Sequence, residues 1–131
     1  MKTAHTPLVR TDFSQEPAWH AVIDAVNRDW EDGFRALVTV IDDPAYDGWT
    51  TERLVASFAA GGHSIILVAD AITMAHPERL VLCADLVSSG KPFRVTLPQL
   101  WAVENNLSLA NLDYDDFAGS TDAEGVFRGF G

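Results

Sequence analysis

The longest near-continuous run of aliphatic residues in the chain is Ser64–Asp70, with the sequence SIILVAD. A run without polar alternation is apolar on both faces, so other elements must cover both of those faces. The pattern therefore predicts that Ser64–Asp70 is the central strand of a parallel or mixed sheet, with helices on each side.

Four other segments have the composition of strands. They are Leu8–Asp12, Phe34–Asp42, Leu80–Leu86 and Pro92–Leu97. The last of them alternates apolar with polar residues and begins with proline, and both features are typical of a half-exposed antiparallel edge strand. We therefore expect Pro92–Leu97 at an edge of the sheet.

Apolar residues at helical spacing, together with capping residues, predict helices between and after these strands. The helices are expected from a cap at Ser14 to about Asp32-Gly33, from Thr50 or Thr51 to Gly61-Gly62, from Pro98 through Leu107 and from Asp113 to Phe117, with a turn or so inside Ala71–Glu78. The element order is therefore βαβαβ(α)ββαα.

This order predicts one α/β domain over residues 1–131. Right-handed crossovers make the first four strands mostly parallel, so we expect three layers: a mixed, mostly parallel five-stranded sheet with helices on both faces. Thioredoxin-like and flavodoxin-like arrangements both fit. Residues 1–6 are predicted to be a flexible arm. Residues 119–131 are predicted to be a tail that docks on the body, because they carry Val126, Phe127 and Phe130.

The charge balance limits the partners that this chain can have. Nineteen acidic and nine basic residues give a net charge of -10, which repels nucleic acid phosphate and anionic membranes and favours cations or a basic protein. An ordinary acidic soluble protein is the alternative. The single cysteine, Cys83, allows no internal disulfide, and no signal peptide or transmembrane run is evident. These features predict a cytoplasmic location.

Aspartates follow the first three predicted strands. They are Asp12, Asp42, Asp43 and Asp70. Because ligands of open α/β sheets bind beyond the carboxyl ends of the strands, and because Mg²⁺ prefers carboxylate oxygens, these residues could form a metal site. Aspartate after a strand is also a common helix cap or turn former. A small Mg²⁺-dependent enzyme or divalent-metal binder is thus one of two functional hypotheses.

The other hypothesis is a non-enzymatic module for protein–protein interaction that binds a basic partner and needs no cofactor; an immunity or antitoxin-like protein is one version. It rests on two segments. Tyr46, Asp47 and Trp49 place aromatic anchors among acids, although both rings could instead fold back over the core. The second segment has paired amides in mid-helix, which indicate a bend, a polar recognition site or a solvated helix end. Its candidate residues are Glu104, Asn105, Asn106, Asn111, Asp113 and Tyr114.

Four stretches are similar to those of a known family. They are VRTDF at Val9–Phe13, DDPAYDG at Asp42–Gly48, LWAVENNLSLANLDYDDF at Leu100–Phe117 and GVFRGF at Gly125–Phe130. Together they resemble a small uncharacterised domain family common in actinobacteria, mostly Streptomyces and relatives. The resemblance implies such a source, and it supplies no catalytic residues because the family has no assigned function.

Overall fold

The computed structural model describes residues 3–30 and 33–130. Residues 1 and 2 of the predicted arm, Asp32 at the predicted end of the first helix and the last residue of the tail lie outside the described residues. The strands are β1 (Thr6–Arg10), β2 (Val38–Ile41), β3 (Ile65–Ala69), β4 (Val81–Asp85), β5 (Phe93–Val95) and β6 (Val126–Phe127). The helices are α1 (Glu16–Val26), α2 (Thr51–Phe58), α3 (Ala71–Ala75), α4 (Leu100–Ser108) and α5 (Tyr114–Ala118).

The strands form one mixed six-stranded sheet in the order β2-β1-β3-β4-β5-β6. Strand β1 runs parallel to β2 and to β3, whereas β4 is antiparallel to both of its neighbours, and β6 is parallel to β5. The α/β class and the mixed sheet are therefore confirmed. The five-strand count was wrong. Three of the first four strands run parallel, as expected, but β4 runs antiparallel and the sheet is less parallel than predicted.

The reversal at β4 has a local cause. A parallel return needs a crossover of about a dozen residues or more, usually through a helix. The connection from β3 contains only the five-residue α3, and the backbone turns back sharply at Arg79, which has a φ of 50°. The chain therefore re-enters the sheet beside β3 in the opposite direction.

The sixth strand lies in the tail. Arg94 N–H donates to the Gly125 carbonyl at 3.0 Å and Thr96 N–H donates to the Phe127 carbonyl at 3.3 Å. These bonds extend the sheet beyond β5, so the prediction that Pro92–Leu97 is an edge strand was wrong. A two-residue strand carries too little pattern to be recognised in the sequence.

Strand β3 is fully buried between two hydrophobic cores. On one face, Ile65, Leu67 and Ala69 pack with residues of α1, α3, α4 and α5. On the other face, Ile66 and Val68 pack with α2 and with Tyr46. The unbroken aliphatic run thus has the central position that its pattern predicts. Within the described residues, no helix is long and apolar enough to cross a membrane.

Candidate functional site

A cavity of about 330 Å³ opens beyond the strand ends, beside the start of β3 and the end of β4. We call it the acidic pocket. Its apolar walls come from Ile65, Val87, Leu107 and Leu112, and its carboxylates come from Asp85, Asp113 and Asp115. Ser64, Ser88, Ala110 and Tyr114 complete the lining. The pocket combines hydrophobic surface with a high density of negative charge.

Asp85 shapes one wall. It is the last residue of β4 and it is buried. Its Oδ1 accepts the N–H groups of Val87 and Ser88 at 2.8 and 3.2 Å, and its Oδ2 accepts that of Gly90 at 3.0 Å. An aspartate that binds the amides following it is a common way to fix a turn. The turn holds Val87 at the pocket, where it is largely exposed.

The connection between α4 and α5 forms the opposite wall. It leaves α4 through Ala110 at a φ of 55°, and Asn111 N–H donates to the Asn106 carbonyl at 2.9 Å. Asp116 Oδ2 then accepts the N–H of Asp113 at 2.8 Å and so starts α5. The C-terminus of α4 carries the partial negative charge of the helix dipole, which adds to the negative charge of Asp113 and Asp115.

Tyr114 is a rigid part of the pocket. Its hydroxyl lies 2.9 Å from the Lys91 carbonyl and 3.2 Å from the Cys83 carbonyl, and its ring packs edge-on against Phe93. Burial raises the pKa of Tyr114 well above its ordinary value, and the negative charges nearby act in the same direction. The phenol is therefore neutral at physiological pH. A Cβ at position 90 would lie 2.9 Å from the ring, so only glycine fits there.

The negative charge of the pocket is poorly compensated. Among the described residues, the carboxylate of Asp115 has no hydrogen bond or ion pair. Three arginines that could have balanced the surface are engaged elsewhere, because Arg10, Arg94 and Arg128 pair with carboxylates outside the pocket. A cation with an aliphatic stem would satisfy both the carboxylates and the apolar walls.

The predicted aromatic loop lies elsewhere. Tyr46 is buried against Phe58, and Trp49 packs on its edge at 4.8 Å. The guanidinium of Arg53 covers the Trp49 ring at 3.7 Å. Asp47 is exposed at the surface. The Tyr46 ring therefore belongs to the core beneath α2, which is the folded-back alternative.

The predicted polar segment divides into two parts. Glu104 is only 3% exposed and accepts hydrogen bonds from Thr6 Oγ1, Ser108 Oγ, Leu37 N–H and the Asn105 amide. Asn105 also donates to the Arg35 carbonyl, and Asn106 donates to the Ala102 carbonyl. Glu104 and Asn105 therefore join α4 to β1 and to the segment before β2, and Asn106 bonds within α4. Asp113 and Tyr114 line the pocket, and Asn111 lies in the turn beside it.

The four aspartates at the strand ends each have their own local partners. Asp12 Oδ1 accepts the N–H and Oγ–H groups of Ser14, and Asp43 Oδ1 accepts Ala45 N–H. Asp42 accepts from Arg10 and from the Trp19 indole, both at 3.2 Å. Asp70 caps α3 and receives two bonds from Arg94 at 2.7 and 2.8 Å. Among the described residues, no three His, Cys, Asp or Glu side chains lie close enough to hold a metal, so the magnesium site stays a prediction without geometric support.

Sequence reasoning did not bring the residues of the acidic pocket together. Asp85 lies inside an apolar strand, and Asp115 lies in an acidic run where no pattern distinguishes it from its neighbours. The sequence DLVSSG, which begins at the last residue of β4, was a usable signal, because aspartate before serine and glycine is typical of a side-chain-fixed turn. That the turn lies beside the α4–α5 connection could be learned only from the fold.

The chain matches a family of proteins over residues 5–130, and that family is described as a domain of unknown function, DUF6924. The chain therefore belongs to the DUF6924 family. A search of curated proteins found no match. Membership agrees with the resemblance to an uncharacterised family and assigns no role to any residue of the pocket.

Proposed function

We propose that this member of the DUF6924 family is a non-enzymatic protein-binding module that holds a lysine or arginine side chain of a basic partner in the acidic pocket. The supporting observation is the pocket itself, about 330 Å³ with apolar walls and the carboxylates of Asp85, Asp113 and Asp115. A basic side chain has a matching structure, since its hydrocarbon stem packs on apolar surface and its charged end reaches the carboxylates.

The overall charge supports the same proposal. A net charge of -10 attracts a basic protein from a distance and raises its association rate at low ionic strength. The largely exposed Val87, which lines the pocket, and the equally exposed Leu109, next to the lining residue Ala110, add apolar contact area near the charges. The partner segment that fits best therefore alternates basic and apolar residues.

We also predict three further properties of this protein. They are a cytoplasmic location, a source among Streptomyces and related actinobacteria, and a role like that of an immunity protein or antitoxin. Each depends on the identity of the partner or of the organism. The proposed binding of a basic segment to the pocket does not depend on any of them.

The test uses a fluorescein-labelled peptide in which arginine alternates with leucine, and measures binding by fluorescence anisotropy. The double variant Asp113→Asn/Asp115→Asn keeps the shape of the pocket and removes two charges. Two ion pairs at a solvent-accessible rim contribute about 1–2 kcal/mol together, so the variant should bind about 5- to 30-fold more weakly.

The matched control is Asp24→Asn/Glu52→Gln, which removes the same charge at exposed positions outside the pocket lining. It should change the affinity less than about 2-fold, because distant surface charges are screened. Equal weakening by the two double variants would mean that the peptide responds to net charge alone, and the proposed function would then be rejected. Val87→Ser should also weaken binding of the peptide, because it removes apolar contact area from the wall of the pocket.

A further inference from the structure

Strand β2 is an edge strand of the sheet. Among the described residues it pairs with β1 alone and forms an end of the sheet. Large apolar side chains are exposed along and beside it: Leu37 is 52% and Val40 38% exposed, and Phe34, stacked on Trp101, is also exposed. An exposed apolar edge strand offers free backbone groups to another strand.

The usual protections of an edge are weak here. The sequence VTVI of β2 contains no proline and no charged residue, although such residues commonly block edge pairing. No acidic residue occurs anywhere between Gly33 and Ile41, in a chain with a net charge of -10. Two copies of this protein repel each other over most of their surface, and this edge is a place where they can approach with little repulsion.

The segment is also self-complementary. If two copies pair antiparallel about a two-fold axis at Thr39, Val38 lies opposite Val40, Leu37 opposite Ile41, and Arg35 opposite Asp43. The valine and leucine–isoleucine pairs are then apolar, and opposite charges meet at both ends. The one mixed pair places Ala36 opposite Asp42, whose carboxylate is already bonded to Arg10 and Trp19 of its own chain. A shift by two residues in one direction places Arg35 opposite Ile41, and a shift in the other places Leu37 opposite Asp43. The pattern therefore selects one register.

Both ends of the segment from Arg35 to Asp43 are already fixed within one copy. The Leu37 N–H donates to Glu104 at 2.7 Å, and the Arg35 carbonyl accepts from Asn105 at 3.0 Å. Asp43 has an extended backbone, with φ -126° and ψ 119°. Little conformational entropy remains to be lost when a second strand is added.

We propose that the partner of β2 is a second copy of this chain, and that antiparallel β2–β2 pairing joins two six-stranded sheets into one continuous sheet. The interface is isologous, as expected for a two-fold dimer. This inference is independent of the proposed function, since β2 and the acidic pocket share no residue.

Sedimentation equilibrium of the full chain tests this pairing. The expected result is a reversible dimer with twice the monomer mass of 14.3 kDa. Val40→Lys places an ammonium group on the edge and should weaken dimerisation about 10-fold or more. Ile72→Lys is the matched control, because Ile72 is an exposed aliphatic residue on α3, outside β2, and it should leave the dimer unchanged.

Exchanging the charges of Arg35 and Asp43 gives a second test, which does not rely on a single variant that could fail to fold. Arg35→Glu and Asp43→Arg should each weaken the dimer, and the double variant should restore it because the pairs form again with reversed charge. A wild-type protein that stays monomeric at all concentrations would overturn the proposal. A dimer that is insensitive to Val40→Lys, or that the double variant fails to restore, would also overturn it.

Discussion

Arg10 is the most unusual residue of the described chain. It lies at the end of β1 and is only 2% exposed, yet it carries a full charge. Its guanidinium contacts Glu16 and Asp42, and it lies over the rings of Phe13 and Trp19 at 4.4 and 5.2 Å. A buried charge is tolerated when its partners replace water. Arg10 thus joins β1, α1 and the end of β2 at one point.

Replacing Arg10 by methionine should destabilise the fold. Arg10→Met keeps most of the aliphatic volume but removes the charged hydrogen bonds, and because Glu16 and Asp42 remain partly solvated the expected loss is about 2–3 kcal/mol. Urea unfolding monitored by circular dichroism measures it. Arg28→Met is the control, because Arg28 is an exposed arginine over Trp30 and should cost less than about 1 kcal/mol. Similar losses in the two variants would contradict the role given to Arg10.

Asp70 predicts a specific dependence of stability on pH. Burial raises its pKa, but hydrogen bonds from Arg94 and Thr73 outweigh that effect, so its pKa in the folded protein lies below its ordinary value. The unfolded chain therefore binds this proton at a higher pH than the folded chain does. The stabilisation by Asp70 is complete above about pH 5 and is lost as the pH falls through its folded pKa.

The comparison of wild type with Asp70→Asn isolates this contribution. Asparagine can still cap α3 but loses the charge interaction with Arg94, so the variant should be about 1–3 kcal/mol less stable at neutral pH. The difference should shrink as the pH falls below about 4. Urea unfolding at a series of pH values measures it. A difference that stays constant down to the lowest pH would contradict the assignment.

At the scale of elements, the tail is an integral part of the sheet. Phe127 of β6 is fully buried, and its ring packs at right angles to Phe117 of α5, with centroids 5.0 Å apart. The exposed Phe130 lies over both rings. Strand β6 therefore covers the end of the core that α5 and β5 leave open.

Truncation of these two phenylalanines should separate packing from surface contact. Phe127→Ala creates a cavity in the core and should cost about 3–5 kcal/mol. Phe130, which is 57% exposed, should cost less than about 1 kcal/mol as Phe130→Ala. Denaturant midpoints at constant m-value measure both effects. Equal losses would mean that the end of the chain does not close the core as described.

Elements with a strong pattern could be predicted from the sequence, and those defined by tertiary contacts could not. Ser64–Asp70 is apolar on both faces, and its central position follows from that alone. The direction of β4 does not follow, because Leu80–Leu86 reads equally well in either direction. The first helix ends at Val26 instead of near residue 32, since the Trp30 indole turns back to the Ala25 carbonyl and does not continue the apolar stripe.

The same distinction applies to the sites. Aspartates at the ends of parallel strands were a sound reason to expect a shared carboxylate cluster. The pattern could not show that Arg10 of β1 and Arg94 of β5 reach Asp42 and Asp70 and neutralise them. Glu104 likewise reads as a surface residue in an ENN motif, although four internal donors make it a core residue. Asp113 and Tyr114, which line the pocket, were candidates because they lie in a compact polar segment.

At the scale of the whole molecule, acidic residues are in excess and much of the positive charge is already paired. Among the described residues, Arg10, Arg35, Arg94 and Arg128 pair with carboxylates, and the acidic pocket keeps carboxylates beside apolar walls. This excess of negative charge would attract the basic partner that we propose, and the acidic pocket is the proposed site for its side chain. The proposed function depends on that excess.

The most direct test is a two-dimensional ¹H–¹⁵N NMR titration with the arginine–leucine peptide. We expect saturable shifts at the backbone amides of Ser64, Ile65, Val87, Ser88 and Asp113–Asp115, with little change at Asp43–Thr50. Shifts concentrated at Asp43–Thr50, or spread evenly over the exposed acidic residues, would contradict the claim that the acidic pocket is the binding site.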